Sequence, residues 1–506
     1  MKRPVLGLAA LACLTLGLCA CGRNTELVGT APAASPTPLW IPSPEPTWTA
    51  AQRDALQRTM STIFTGDITE SSTGLAVVAG DGSTLFARRA TVPVAPASTL
   101  KLVIAASALE LLGPKYRFET KFVTDAPDQE PLGTIKGNVW LVGGGDPWLT
   151  SDDLERGVGA LYRSGVRQID GSLEVDGSAF SGPEQNPRWD PDDLTYDYAA
   201  GTSAISLDGD TVEFDVTPDS GGGDASVHVV PENDSITFSG SIRTAASDYD
   251  TDVSIEREPS ISGSGARETG NQYVLDGAIA QGEMQKYWKP VLGLPGYVGA
   301  VASTMLGSRG ISLAGGYGSS AAPTDATVLW DHKSPPLDSI VHEMLVNSNN
   351  HTAETLLRMI GEREGRPGTD GAGIAVEKGE LSRLGVPRDR MNVYDGSGLA
   401  PSDRIMPLSL AELLSAEARG RNGNLYIRSL PLVGIEGTVK SHDLHAALGR
   451  TRAKSGHIED VNGLAGTIAT VHHGRIAFAF VVNDPRANAD IVYQEEDRAL
   501  DALAEY

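Results

Sequence analysis

Cysteine is nearly missing. The chain of 506 residues holds three, and all of them, Cys13, Cys19 and Cys21, fall within the first 21 positions. The rest of the chain has no disulfide, so its stability must come from core packing. Basic charge is also short: 41 Lys and Arg face 65 Asp and Glu, for a formal net charge of -24. Phosphate binding needs basic surface, which argues against nucleic acid as a partner; an acidic, soluble, self-repelling surface remains. Several catalytic signatures are absent as well. There is no Gly-x-Ser-x-Gly elbow. His342-Glu343 lacks a second histidine four residues after the first, and His472-His473 has no partner cluster, so no metal or other cofactor is expected. Those histidines read as solvated side chains. The loop Gly143-Gly144-Gly145-Asp146-Pro147-Trp148 lacks the Gly-Lys-Ser/Thr of a nucleotide site.

The N-terminus is what the cysteines mark. Met1-Lys2-Arg3 is a short basic start, and Val5 to Leu18 is an apolar run too short to span a bilayer comfortably. Residues 1–21 therefore read as an export signal. Leu18-Cys19-Ala20-Cys21 resembles a lipobox, which makes Cys21 the expected lipidation site and the lipid the expected membrane contact. Cleavage without an anchor is the alternative. Residues 22–48 interleave Pro32, Pro36, Pro38, Pro42, Pro44 and Pro46 with Ser, Thr and Ala. Such a composition buries no core and forms an extended, semi-rigid spacer.

The body changes character twice. A helix is expected near Ala51–Leu56, then strands Gly74–Ala79 and Thr84–Arg88 joined at Asp81-Gly82. From about 121 to 299, short strands and Gly/Asp turns dominate, with few long helices. Helices return over 337–346, 352–361 and 375–384. A hairpin of 465–471 with 475–482 and a helix over 494–505 close the chain.

Ser98 and Lys101 begin an apolar helix that runs to about Leu112, and three-residue spacing sets both on one face. A serine hydroxyl is a weak nucleophile until a base takes its proton. A lysine amine can be that base if its pKa falls from about 10.4 towards 7, a differential interaction on the order of 4–5 kcal/mol. Burial or a second nearby cation could supply it. Ser98-x-x-Lys101, Ser348-x-Asn350 and Lys454-Ser455-Gly456 each occur once, in that order.

Together these match the three signatures of penicillin-interacting serine enzymes. The chain resembles the D-alanyl-D-alanine carboxypeptidase/endopeptidase family of low-molecular-mass penicillin-binding proteins, the type with a large domain inserted between the first two motifs. About 250 residues separate Ser98 from Ser348. The stretches 200–207, 395–399, 437–438 and 464–466 are similar too. The resemblance implies an α+β penicillin-binding/β-lactamase-like transpeptidase fold, an antiparallel sheet flanked by helices. Its catalytic domain would come from 49–120 plus 300–506, with a strand-rich insert over 121–299. The partners implied are peptidoglycan stem peptides and β-lactam antibiotics, and the location is exported: at the outer membrane face or wall, or periplasmic or extracellular.

By the same resemblance, Ser98 attacks the penultimate D-alanine carbonyl and Lys101 takes its proton. Lys454 helps hold Lys101 neutral. Ser348 shuttles a proton to the leaving amine, and Asn350 fixes Lys101 and binds the substrate amide. Lys454 and Ser455 suit the terminal carboxylate. The N–H groups of Ser98 and His457, beside Gly456, would form an oxyanion hole, worth roughly 3–4 kcal/mol per donor. Asp146 would meet the free amine of the stem peptide; the other reading is an Asp-Pro turn. Ser455 stands where the family more often has Thr, and His457 where a smaller residue is usual. A β-lactamase and a non-catalytic penicillin- or wall-binding module are the competing readings. The long insert argues against the first, and three intact motifs against the second.

Overall fold

The computed structural model describes residues 47–65, 68, 73–126, 133–258, 260–261, 267–268, 270–282, 284–484 and 488–506. The expected signal, Cys21 and all but the end of the expected spacer lie outside the described residues. Among those described, no helix is long and apolar enough to cross a membrane.

Segments from the two ends of the body build one sheet. Five antiparallel strands run in the order Thr84–Arg88, Thr73–Val78, Arg475–Asn483, Val461–Ala469, Thr451–Ile458. Alternate residues of a strand face opposite ways, and here the two faces differ in bulk. Ile476, Phe478, Phe480 and Val482 pack with Leu75 and Val77 under helices Ala50–Ser61 and Ala489–Ala504. Ala76, Ala477 and Ala479 turn the other way, where small side chains let helix Pro407–Arg419 sit close. Helix Lys101–Leu111 is buried from Lys101 to Leu109. Helices Leu337–Asn347, Asn350–Arg363, Asp370–Arg383 and Gly423–Ser429 pack around it. That is why its sequence is apolar all round; each buried Leu or Ile contributes about 1.5–3 kcal/mol.

The chain leaves this body and returns at adjacent points. Ser334 N donates to Phe118 O at 3.0 Å, and Leu337 N to Tyr116 O at 2.9 Å. The excursion between has its own mixed sheet, ordered Tyr317–Ser319, Leu173–Asp176, Val139–Gly143, Glu119–Thr124, Thr327–Lys333. Helices Ser151–Arg163 and Leu294–Arg309 share its apolar cluster.

Three expectations need correcting. The expected insert limit at 299 falls inside helix Leu294–Arg309, and strands within 312–333 pair with insert strands. The limit belongs near 333, because pairing between segments so far apart leaves no local mark. Helix Ser151–Arg163 was not expected, although Thr150 and Asp153 form a reciprocal capping box at its start. His473 is not solvated: it is buried and stacks on Trp48 at 4.3 Å between ring centroids.

Candidate active site

Ser98 lies in the 3-10 turn Ala97–Leu100 that leads into helix Lys101–Leu111. The turn starts from Ala97 at φ 46, a conformation costing an alanine about 1–2 kcal/mol. Ser98 is half-buried and Lys101 wholly buried. Lys101 Nζ stands 2.9 Å from Ser98 Oγ, 2.6 Å from Asn350 Oδ1 and 2.8 Å from the Ser397 carbonyl. A neutral amine has two N–H bonds and one lone pair. The Asn350 and Ser397 oxygens can only accept, so they take the two N–H bonds, and the lone pair is left facing the serine hydroxyl. Burial pushes Lys101 down from 10.5 to about 7, against the opposing charges of Asp395 and Glu354. An amine so poised near neutral pH suits a general base.

The Asn350 amide is oriented from its other end. Its Nδ2 donates to the Tyr198 carbonyl at 2.9 Å, leaving one amide hydrogen for another acceptor. Asn350 opens helix Asn350–Arg363, capped by Asn349 through Thr352 N at 2.7 Å. Ser348 sits at φ 58 at the end of helix Leu337–Asn347. The turn Gly437–Val439 packs on that helix, and its Thr438 hydroxyl is 2.7 Å from Ser455 Oγ. Ser348 is thus one residue from the cap of the helix that Asn350 opens, at the end of the helix on which the Thr438 turn packs.

The third motif is inside the edge strand Thr451–Ile458. A Cβ built on Gly456 would stand 2.9 Å from Pro96 O and 3.0 Å from Ser98 N. The strand therefore approaches the Ser98 backbone as only glycine allows. Lys454 is wholly buried, donates to Ser455 O at 2.7 Å, and is held well below 10.5 by burial first and Lys101 second. Of the two expected causes, burial is the one that lowers Lys101. His457 is exposed and its Nδ1 lies 2.9 Å from Asn462 Oδ1.

Asp146 has other company. It is buried, with Oδ1 accepting from Trp148 N at 3.0 Å and Oδ2 3.5 Å from His332 Nε2. That is the Asp-Pro turn reading, closed off from solvent. The acids flanking the residue that touches Asn350 are Asp193 and Asp197, and Tyr198 donates its hydroxyl to Asp193 at 2.7 Å. The sequence marks the Ser397 carbonyl and the Thr438 hydroxyl only through the similarity of the stretches 395–399 and 437–438. Among the described residues no cluster of His, Cys, Asp and Glu could hold a metal ion.

The family model of D-Ala-D-Ala carboxypeptidase 3 (S13) matches residues 56–505. The D-alanyl-D-alanine carboxypeptidase of Actinomadura sp. (strain R39) is 29% identical over 462 residues, 86% of this chain and 81% of that one. The D-alanyl-D-alanine carboxypeptidase DacB of Haemophilus influenzae is 24% identical over 401 residues, 76% of this chain and 80% of that one. In fold, the crystal structure of penicillin binding protein 4 (dacB) from Haemophilus influenzae superposes with a TM-score of 0.74 at 21% identity, covering 90% of this chain and 99% of that one. The architecture is thus the α+β penicillin-binding, transpeptidase-like fold with a strand-rich insert.

Proposed function

The chain belongs to the D-Ala-D-Ala carboxypeptidase 3 (S13) family, and from that premise we propose how its cleft residues divide the work. The protein is a serine-type DD-carboxypeptidase/endopeptidase that acts on peptidoglycan through an acyl-enzyme. Ser98 Oγ attacks the carbonyl carbon of the penultimate D-alanine while Lys101 accepts its proton. The N–H groups of Ser98 and His457 receive the oxygen that gains charge. As the C–N bond breaks, Ser348 relays the proton from Lys101 to the departing amine, which returns the lysine to its neutral form. Water, activated by the same lysine, then attacks the ester and frees Ser98. The remaining Asn350 amide hydrogen meets a substrate carbonyl.

Lys454, Ser455 and Thr438 form the terminal-carboxylate end of the site. The incoming carboxylate supplies a counter-charge that favours the charged form of Lys454 against its burial, so carboxylate binding is linked to proton uptake from solvent. Penicillin acylates the same serine because its strained amide imitates the D-Ala-D-Ala bond.

One observation carries this reading: Lys101 Nζ has three oxygens within 2.9 Å, those of Asn350 Oδ1, the Ser397 carbonyl and Ser98 Oγ, and the first two can only accept. Incubation with a D-Ala-D-Ala peptide should release D-alanine, and Ser98→Ala should lose both this release and stable labelling by a fluorescent penicillin. If no D-alanine appears and cross-linked dimers stay uncut, the reading fails. Rapid antibiotic turnover would point to a β-lactamase instead. The protein works outside the cytoplasm, tethered through lipid on Cys21 and the 22–48 spacer. Cys21→Ala should release it from the membrane fraction, and unchanged partitioning would remove the anchor.

A further inference from the structure

Lys101 depends for one of its two N–H acceptors on a backbone oxygen, and that oxygen is held by side chains the mechanism leaves idle. Ser397 lies in the turn Asp395–Ala400. Its N–H donates to Glu354 Oε1 at 2.8 Å, and Gly396 N lies 3.2 Å from both Glu354 oxygens. Asp395 holds the rest of the turn: Oδ1 accepts from Gly398 N at 2.7 Å, and Oδ2 from Ala400 N at 2.8 Å and Trp189 Nε1 at 2.9 Å. Both carboxyl groups are buried. Gly398 has φ +80, and a Cβ there would stand 2.0 Å from Ala97 O. The turn is therefore seated directly against the turn that carries Ser98.

We propose that Glu354 and Asp395 are positioning residues for acylation: they hold the Ser397 carbonyl on one N–H of Lys101, which keeps the amine lone pair on Ser98 Oγ. The inference rests on the reading of Lys101 as the base. With Asn350 alone as acceptor, the amine is free to turn about its Cε–Nζ bond, and the lone pair leaves the hydroxyl for part of the time. Misplacement on this scale is costly because the rate depends on alignment. Burying a carboxyl is unfavourable unless its oxygens are hydrogen-bonded, and these two between them accept from five N–H groups of one turn and its neighbour. The other ionisable groups nearby are Arg358 on the same helix as Glu354, Asp370 and Glu377 from helix Asp370–Arg383, Asp403 beyond the turn, and Lys101 itself. Burial raises Glu354 to about 8, and its protonated form still keeps an acceptor for the Ser397 N–H.

The test uses the full chain, a fluorescent penicillin and stopped-flow kinetics that separate the pre-acylation dissociation constant from the acylation rate constant, run from about pH 6 to pH 9. In Glu354→Ala the acylation rate constant should fall about 100-fold, with the dissociation constant within about twofold. Glu354→Gln keeps an acceptor oxygen and should recover about tenfold or more of that loss. Trp189→Phe removes one donor to Asp395 and should slow acylation about threefold; it and the Gln variant decide the matter if Glu354→Ala does not fold. The proposal is overturned if Glu354→Ala or Trp189→Phe acylates at the wild-type rate, if the loss sits in the dissociation constant, or if Gln rescues nothing. Should Lys101→Ala also acylate like wild type, the base reading fails beneath it; should Glu354→Ala alone do so, only this proposal fails.

Discussion

Both five-stranded sheets are packed against helices, yet the two bodies bury charge with a different emphasis. In the insert, buried acids make local turns. Asp146 accepts from Trp148 N, Asp153 from Thr150 N, Asp176 from Ser178 N and Asp210 from Leu207 N. Each of these partners is two or three residues away, the habit of turn and cap acids, and Asp176 adds one distant donor, Ala322 N. In the catalytic body, the buried groups reach across the chain: Lys101 to Asn350, Glu354 to Ser397, Asp395 to Trp189. Local acids can be lost at a modest cost to one turn. Long-range ones assemble the site, and their loss should register in the chemistry.

The largest effect should follow Lys101→Met. Losing a general base lowers acylation by about 10³-fold. In the wild type, acylation should fall about tenfold for each pH unit below 7, as Lys101 takes up its proton. Stability gives an independent check. The folded value lies below that of the unfolded chain, so between about 7 and 10.5 the unfolded state binds more protons, and stability rises with pH. The full cost of the buried amine, on the order of 5 kcal/mol, applies below pH 7. Wild type should therefore gain stability relative to Lys101→Met as pH rises from 7 to 10.5 in denaturant titrations. A constant difference would mean that Lys101 is not neutralised by burial.

Next should come Gly456→Ala. Its new methyl would meet Pro96 O and Ser98 N, backbone atoms with no rotamer to escape into. The strand or the serine turn has to shift, and a displacement approaching 1 Å costs about 100-fold in acylation. Overpacking should lower stability by about 1–3 kcal/mol. Wild-type acylation would show that strand and turn are not held in register. Together with Lys101→Met, it asks whether the catalytic body is sensitive in both its charge and its backbone.

Legibility in the sequence follows the same division. Ser98, Lys101 and the helix behind them could be read because three-residue spacing and an unbroken apolar run are local facts. Ser348, Asn350 and Lys454 came from short motifs in order. The Ser397 carbonyl had no such mark, since a backbone oxygen is the same in every residue; only the similarity of 395–399 pointed at that turn. Helix Ser151–Arg163 was legible in principle, from Thr150 and Asp153, but neighbouring glycines and aspartates made the region look like strands and turns. The insert limit near 333 depends on pairing between Glu119–Thr124 and Thr327–Lys333, a long-range choice with no local signal. Between burial and a second cation as the cause of the lowered Lys101 value, the sequence cannot choose, for a related reason. A second cation is visible in a sequence, whereas complete burial appears only once the helices close.

The smallest effect belongs to the insert. His332 lies between two acids, with Nε2 3.5 Å from Asp146 Oδ2 and Nδ1 3.5 Å from Asp153 Oδ1. Asp146 first, then Asp153, holds its proton above the ordinary 6.5 against the pull of burial. A raised folded value means that the stabilisation is fully present below 6.5 and is lost as pH rises through the raised value. His332→Gln should therefore cost about 0.5–1 kcal/mol near pH 6 and nothing once the wild-type histidine is neutral, read by hydrogen exchange in Glu119–Thr124 and Thr327–Lys333. Acylation by penicillin and release of D-alanine should stay within about twofold. If Asp146 instead met the stem-peptide amine, freeing it from His332 would change KM for amine-bearing peptides and leave penicillin untouched, and the contrast between local and long-range acids would break at that residue.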